Sequence, residues 1–379
     1  MTPALDVCIR GAGIVGRTLA LLLARERLRV GLVDHSSAGS GDQSDIRAYA
    51  LNPASRELLE MLRAWPDIAD ATPVLEMRVH GDHGGEVRFS AADQGVAALA
   101  WIVDVAALQA RLGEALRYQP LVDRLQSPQP AALTVVCEGG ASATRAEFGV
   151  RFDVMSYPQR AIASRLTCEK SHGLVARQWF VDGETVALLP LGGDITGPQG
   201  NSVALVWSVR EERAGGLLAM EPAAFAAAVG LVTGHELGAM TLTADRACWP
   251  LQLATADRWS GPGWVLAGDA AHTVHPLAGQ GLNLGLADAC ALAGVLRERE
   301  YWRAVHDPKL LRRYERSRKA QVLAMGAATD GLQQLFARAS GPWTALRNWG
   351  MNGFDHSGPL KQWVAREAMG RLQHFRTIG

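Results

Sequence analysis

The sequence predicts an α/β protein in which a parallel-sheet domain is interrupted by an inserted antiparallel β-sheet and followed by a helical C-terminal segment. Three observations carry this. The first forty residues read strand, glycine turn, helix, strand; four strand-like runs separated by turn signals crowd between about 160 and 207; and near Trp264 the pattern reverts to a short buried strand, a glycine-rich loop and an apolar helix. With 379 residues, 48% hydrophobic and 20% charged, the chain is long enough for two or three domains and a large core, which excludes disordered and disulfide-scaffold classes. Thirty-eight Lys and Arg balance 38 Asp and Glu, so there is no chain-wide basic footprint for nucleic acid. Forty glycines exceed the usual share of roughly 7% and show no collagen-like period.

In order along the chain, Leu5–Ile9 is an apolar strand, Ile14–Glu26 a helix, and Arg29–Val33 a second strand ending in Asp34. Asn52-Pro53 starts a helix over Ala54–Ala64. Short β-like runs follow at Val74–His80 and Glu86–Ser90, on either side of a Gly81–Gly85 turn. Asp104 caps a helix to about Arg117, Gln119–Pro130 reads as a loop, and Leu133–Cys137 as a strand. The antiparallel runs are Ala161–Cys168, Val175–Val181, Thr185–Pro190 and Val203–Val209. Trp264–Ala267 resumes the first domain, and Gly281–Leu296 is its apolar helix. From Asp307 on the chain reads as helical, broken at Gly341-Pro342 and Gly350–Gly353. The resulting division is 1–73, 91–150 and 250–300 for the parallel-sheet domain, 74–90 and 151–249 for the insert, and 301–379 for the C-terminal segment.

Five dispersed cysteines without a CxxC pair read as reduced thiols, not a zinc site or disulfides. Arg17 and three glycines interrupt the Gly11–Ala24 run, so it reads as a buried helix and not a leader, and no apolar run reaches bilayer length. The expected location is cytoplasmic, with peripheral contact to the inner face of a membrane left open.

Gly11-Ala-Gly13-Ile-Val-Gly16 is a GxGxxG placed between a strand and a helix. There the first glycine makes the turn, the second admits a pyrophosphate to the helix N-terminus, and the third lets helix and strand approach. Asp34 follows at the second strand's end, where it can accept from a ribose hydroxyl. A Rossmann-like dinucleotide site follows, without a choice between NAD and FAD. Gly268-Asp269-Ala-Ala-His272-Thr-Val-His275-Pro276-Leu-Ala-Gly279-Gln280-Gly281-Leu282-Asn283 supplies that choice. A strand-end carboxylate suits polyol hydroxyls, and a glycine-lined helix start suits the carbonyls of a flat ring and the negative charge developing there, the needs of a flavin. Asp269, His272 and His275 also form a two-His-one-carboxylate inventory for non-haem iron, but the glycine loop and the N-terminal motif account for the same residues without a metal.

With GDAAH…P…GQGxN, Asp45-Ile-Arg47-Ala-Tyr-Ala-Leu51, Ala187–Leu191 and Leu311-Arg-Arg-Tyr314-Glu-Arg-Ser-Arg318-Lys in place, the chain resembles the group A flavoprotein monooxygenases, and within them the ubiquinone-biosynthesis hydroxylases. The resemblance covers most of the chain. It implies a p-hydroxybenzoate-hydroxylase-like fold with FAD as cofactor, NAD(P)H as reductant and O2 as co-substrate. It also implies transfer of oxygen through a C4a-hydroperoxyflavin to the ring of a polyprenylated phenol or other apolar aromatic. By the same resemblance Gly11, Gly13, Gly16 and Asp34 hold the ADP half, Arg47 contacts the cofactor, Gly268 and Asp269 bind the ribityl chain, and Gly279, Gln280, Gly281, Leu282 and Asn283 border the isoalloxazine. No catalytic side chain is assigned; Pro276 and His272 are the flavin-proximal candidates. The family's middle motif DGxxSxxR, which the resemblance implies takes part in FAD and NAD(P)H binding, is matched by Glu138-Gly-Gly-Ala-Ser142-Ala-Thr-Arg145, with Glu for Asp and a segment before it shorter than the family norm; Arg10, a smaller departure, stands where the family usually has an apolar residue. The altered middle motif and the shortened segment motivate a second reading, a flavin-binding relative that serves as a subunit or scaffold. Trp179, Leu189, Pro190, Trp249 and Pro250 are the expected apolar walls of a substrate pocket. Residues 297–319 carry nine Lys/Arg against four Asp/Glu. That run reads first as a solvated helical face and second, with Leu332, Leu335, Phe336, Trp343, Leu346 and Trp349 after it, as a surface for a membrane or a biosynthetic complex.

Overall fold

The computed structural model describes residues 5–34, 46–81, 85–192, 200–274 and 281–337, the last fourteen as backbone only. His275, Pro276, Gly279, Gln280, and the helix breaks beyond 337 lie outside the described residues.

Leu5–Arg10, Val30–Val33, Ala131–Val136, Trp264–Leu266 and Val122–Leu125 form a parallel sheet, closed at one edge by the antiparallel pair of Ser260–Gly261 with Trp264 and Val265. The first strand is central: Val7 stands opposite Val30 on one side and Leu133 on the other. Both faces are covered, by helices Ile14–Arg25, Val105–Arg117 and Gly281–Arg297 among others, which is why these strands are continuous apolar runs. Val122–Leu125, within the segment read as a loop, is the edge strand of this sheet; its Asp and Arg are tolerated because an edge strand faces water.

A second, nine-stranded sheet contains Phe152–Cys168, Val175–Val181, Glu184–Leu191, Ser202–Arg210, Ala247–Ala256, Glu76–His80, Glu86–Ser90 and two short strands. It is antiparallel except where Val175–Val181 runs parallel to Glu76–His80. Phe152–Cys168 is one strand of 17 residues, twice the length read from the sequence, and pairs with Ala247–Ala256 through a bulge between Ser156 and Arg160. The sheet therefore continues past residue 250 to Ala256, where His272–Thr273 adds to its edge. One face is covered by helices Glu211–Ala219 and Pro222–Val232, around Trp207 and Phe225.

Ala48–Leu51, Ala71–Val74 and Ala100–Asp104 make a third, three-stranded sheet that packs against the insert through Val74, Ile102, Ala176, Leu189 and Leu191. The run read as Val74–His80 is thus split at Leu75 between two sheets.

Candidate functional site

Each glycine of the first motif meets a different neighbour. Gly11 takes φ +111°, open to glycine, and a Cβ there would stand 2.6 Å from the Cys137 carbonyl carbon. At Gly16 a Cβ would overlap the Gly11 carbonyl oxygen, so this glycine lets helix and turn touch. Gly13 is the opposite case: it is exposed, and a Cβ there would meet nothing within 4 Å among the described residues. Gly13 is also the N-cap of Ile14–Arg25, with no capping side chain and no acid in the first turn, so the helix's first N–H groups face open space. That is a cradle for an anion.

Asp34, at the mouth of this turn, is flanked by two guanidiniums: Arg17 Nη2 at 3.7 Å and Arg124 Nη2 at 3.5 Å from Oδ2. Arg17 is anchored by donating Nε to the Ala12 carbonyl (2.6 Å) and Nη1 to that of Gln109 (3.0 Å). The sequence assigns neither arginine to the site: Arg17 reads only as an interruption of the apolar Gly11–Ala24 run, and Arg124 as a residue of a polar segment.

The second glycine cluster meets the first at Val15. Its Cγ2 lies 3.3 Å from the Cβ position of Gly268 and 2.7 Å from that of Gly285, so both glycines give way to one valine. Gly268 takes φ +63° and places Asp269 at the end of Trp264–Leu266. The Asp269 carboxylate is solvent-accessible and accepts no hydrogen bond among the described residues. Crowding by protein pushes its carboxyl above the usual range, His272 and Arg47 oppose this, and Asp288 adds to it. Arg47 is exposed, donates to Tyr49 Oη at 3.5 Å, and is positioned through its own carbonyl, which accepts from Val105 N. Asp104 caps the following helix through Ala107 N and also pairs with Arg165, whose Nε holds the Ile46 carbonyl.

His272, one of the two flavin-proximal candidates, is engaged within the protein. It is buried, stacks on Trp259, and its Nε2 lies 2.7 Å from Asp288 Oδ2. Asp288 Oδ2 also accepts from Gly268 N (2.9 Å), and Oδ1 accepts from Arg318 Nε (2.6 Å). Burial pushes the Asp288 carboxyl up, but His272 and Arg318 outweigh it and hold it below the ordinary range. Nε2 is therefore committed to Asp288, and no group of three His, Cys, Asp or Glu among the described residues is placed to hold a metal. This network fixes the loop entry from below. An acid in an apolar helix such as Asp288 has no period of its own, and Arg318, part of the C-terminal run that carries the resemblance, gives no sign in the sequence of its partner.

The Asn283 amide is likewise engaged within the protein. Its Oδ1 accepts from Asn52 N (3.0 Å) and Ser55 Oγ (2.7 Å), and its Nδ2 donates to Ala50 O, which ties the helix to the three-stranded sheet.

The middle motif is intact despite its glutamate. Glu138 accepts from Ser142 Oγ (2.8 Å), Thr144 Oγ1 (2.6 Å) and Thr144 N (3.2 Å), and pairs with Arg10 Nε at 3.2 Å. The two departures are thus partners: the longer acid reaches the basic residue that replaces an apolar one. Ser142 caps the Ala143–Glu147 helix, while Arg145 lies over Phe152 and donates to Gly140 O and, at 3.1 Å, to Ala270 O. That last bond joins the middle motif to the Gly268–Thr273 loop.

The expected pocket walls divide between two faces. Trp179, Val186 and Trp207 are register partners on the helix-covered face, as are Pro190 and Val203, so Trp179 and Pro190 are core. Leu189 points the other way, because neighbours on a strand alternate. Trp249 pairs with Ala161 on that opposite face, where Ala163, Ala187, Ala204 and Val206 are also in register; Pro250 is exposed. The face between Leu189 and Trp249 is thus made mostly of small side chains, of which Ala161, Ala163 and Ala204 are buried.

Residues 120–329 match the model of a family described as FAD binding domain. The chain is 30% identical to ubiquinone hydroxylase UbiL of Rhodospirillum rubrum, across 97% of this chain and 90% of that protein. It is also 30% identical to 3-demethoxyubiquinol 3-hydroxylase of Escherichia coli, across 96% and 98%. In fold it is similar to pqsL of Pseudomonas aeruginosa, a probable FAD-dependent monooxygenase, with TM-score 0.76 and 21% identity over 93% of this chain and all of that one. p-Nitrophenol 4-monooxygenase PnpA of Pseudomonas putida gives 0.73 and 19% over 98% of each.

Proposed function

The chain belongs to the FAD-dependent hydroxylase family of ubiquinone biosynthesis, and from that premise we propose that it hydroxylates the aromatic ring of a polyprenylated phenol, with NAD(P)H as reductant and O2 as co-substrate. The observation that carries this reading is the meeting of the two glycine clusters at Val15, which packs the helix that starts at Gly13 against the Gly268 turn that carries Asp269. The helix start and the carboxylate are the needs of a dinucleotide's pyrophosphate and of a polyol chain, so the residues present fit FAD. FAD bound there supplies the redox chemistry, taking reducing equivalents from NAD(P)H and activating O2.

This chain's own groups do the rest. The N–H groups after Gly13 bind the pyrophosphate, Asp34 the adenosine ribose and Asp269 the ribityl hydroxyls, with Arg47 at the mouth. The start of Gly281–Arg297 presents a partial positive charge toward the ring edge where negative charge develops. Asp288 holds the Gly268 amide, and Arg145 holds the Ala270 carbonyl, so the loop enters the site in one conformation. The alanine face between Leu189 and Trp249 takes the substrate ring and keeps water away from it. Glu138, hydrogen-bonded to Ser142 and Thr144 and paired with Arg10, supports a middle motif that holds its shape with Glu in place of Asp.

An apolar tail partitions into a bilayer, so the proposed place of work is the cytoplasmic face of a membrane, touched through residues 297–350. No helix among the described residues is long and apolar enough to cross one. The test is purification of the chain, measurement of bound flavin by absorbance, and NAD(P)H oxidation with and without a short-tailed prenylphenol. Stimulated oxidation with a product one oxygen heavier is expected; protein whose flavin no pyridine nucleotide reduces would return the scaffold reading.

A further inference from the structure

We propose that the outer face of residues 308–323, together with the Tyr301–Trp302 corner before it, docks on an anionic phospholipid surface; this rests on the reading of the substrate as a membrane lipid. The helix is two-sided. Leu310, Leu311, Tyr314, Arg318 and Val322 are buried, with Tyr314 Oη donating to the Leu266 carbonyl at 3.0 Å. Lys309, Arg312 and Arg316 stand on the opposite, exposed stripe at helical spacing and line a shallow recess with Glu315 and Lys319.

Several basic side chains of this region are already neutralised: Arg318 by Asp288, Arg303 by Glu300 and Asp307, Arg313 by Glu298, and Lys319 by Glu315. Lys309, Arg312 and Arg316 form no ion pair among the described residues. Like charges three and four apart on a helix repel one another, so an uncompensated row in a neutral chain is complementary to an external anion. The nature of that anion follows from the exposed apolar groups that flank it along the chain, seven residues before Lys309 and seven after Arg316. Tyr301 is 93% and Trp302 66% exposed, their rings in edge contact at 4.9 Å, and Leu323 continues the stripe at 63%. Aromatic rings with a polar tip next to basic side chains suit the headgroup layer of a bilayer, where the charges meet phosphates and the rings reach the acyl boundary. A soluble acidic protein would satisfy the charges and leave the rings in water. Docked this way, the bilayer lies about one helix diameter, ~10 Å, from the strand that carries the Gly268 loop.

Sedimentation of the full chain with vesicles tests the proposal, using phosphatidylcholine alone and phosphatidylcholine mixed with phosphatidylglycerol. Binding to the mixed vesicles and weakening with salt are expected. Lys309→Gln, Arg312→Gln and Arg316→Gln together should reduce partitioning about 100-fold, at roughly fivefold per basic side chain. Flavin content, melting temperature and turnover of a short-tailed, water-soluble prenylphenol should stay unchanged. Tyr301→Ser with Trp302→Ser should remove the part of binding that survives high salt. Equal binding to neutral and mixed vesicles, an unaltered triple variant, or capture by soluble polyglutamate without vesicle binding would each overturn the proposal. A wild-type chain that binds vesicles but holds no flavin would instead sink the enzymatic reading and leave the docking surface standing.

Discussion

Gly13→Ala and Gly16→Ala, the same substitution three residues apart, should damage different things. At Gly16 the new methyl overlaps the Gly11 carbonyl oxygen and comes within 3.2 Å of its carbon, so helix and turn must separate by roughly an ångström; backbone overpacking of this kind costs about 2–3 kcal/mol or more. The apoprotein should melt several degrees lower. At Gly13 nothing lies within 4 Å, so the methyl has room; the roughly 0.4–1 kcal/mol gained by restricting the unfolded chain offsets a comparable loss of N-cap preference. Apoprotein stability should therefore change by less than about 1 kcal/mol. The methyl instead occupies the approach of the pyrophosphate. Losing one or two charge-assisted hydrogen bonds at about 1.5–3 kcal/mol each lowers FAD affinity roughly 10- to 100-fold or more. Thermal melts of flavin-stripped protein and FAD titration by flavin fluorescence give the two readouts. A Gly13→Ala apoprotein as unstable as Gly16→Ala, or one with wild-type FAD affinity, would refute the reasoning.

Other outcomes follow from the buried network and the middle motif. Arg318→Met leaves Asp288 ionised and buried beside His272, and should cost about 3–5 kcal/mol in urea unfolding. Glu138→Asp should be less harmful in an Arg10→Leu background than alone, with a coupling of about 1 kcal/mol in a double-mutant cycle, because the pair is only partly buried. Asp288, Glu138 and Glu315 are all held below their ordinary values, so their contribution to stability is complete above the unfolded carboxyl range, near pH 4–5, and is lost as pH falls through their folded values; acid unfolding monitored by circular dichroism checks this. Asp269 is shifted the other way. Ribityl hydroxyls donate to its ionised form, so FAD affinity should rise with pH through that raised value and become flat in Asp269→Asn.

Local signals were legible where backbone geometry dictates residue type. The GxGxxG turn and the strand-ending Asp269 are found at their expected places because a turn at positive φ, a close approach and a strand end each leave a mark on the sequence. Residues whose role is set by a distant partner leave none. Asp288 and Arg318 are thirty positions apart and meaningful only as a pair, and Asn283 lies in a motif read as ring-facing while its amide serves Asn52 and Ser55. Trp179 and Leu189 were grouped by hydrophobicity, whereas the alternation of strand faces puts them on opposite sides of one sheet. Arg10 and Glu138 looked like separate departures and proved to be each other's partners across 128 residues.

The central claim, ring hydroxylation at this site, is tested most directly by single turnover of the purified holoprotein with NAD(P)H, a short-tailed prenylphenol and isotopically labelled O2, followed by mass spectrometry of the phenol. The account predicts a product carrying one labelled oxygen on the ring, formed by wild type and strongly reduced in Asp269→Ala. NAD(P)H oxidation that yields only hydrogen peroxide, with the phenol recovered unchanged, would contradict it.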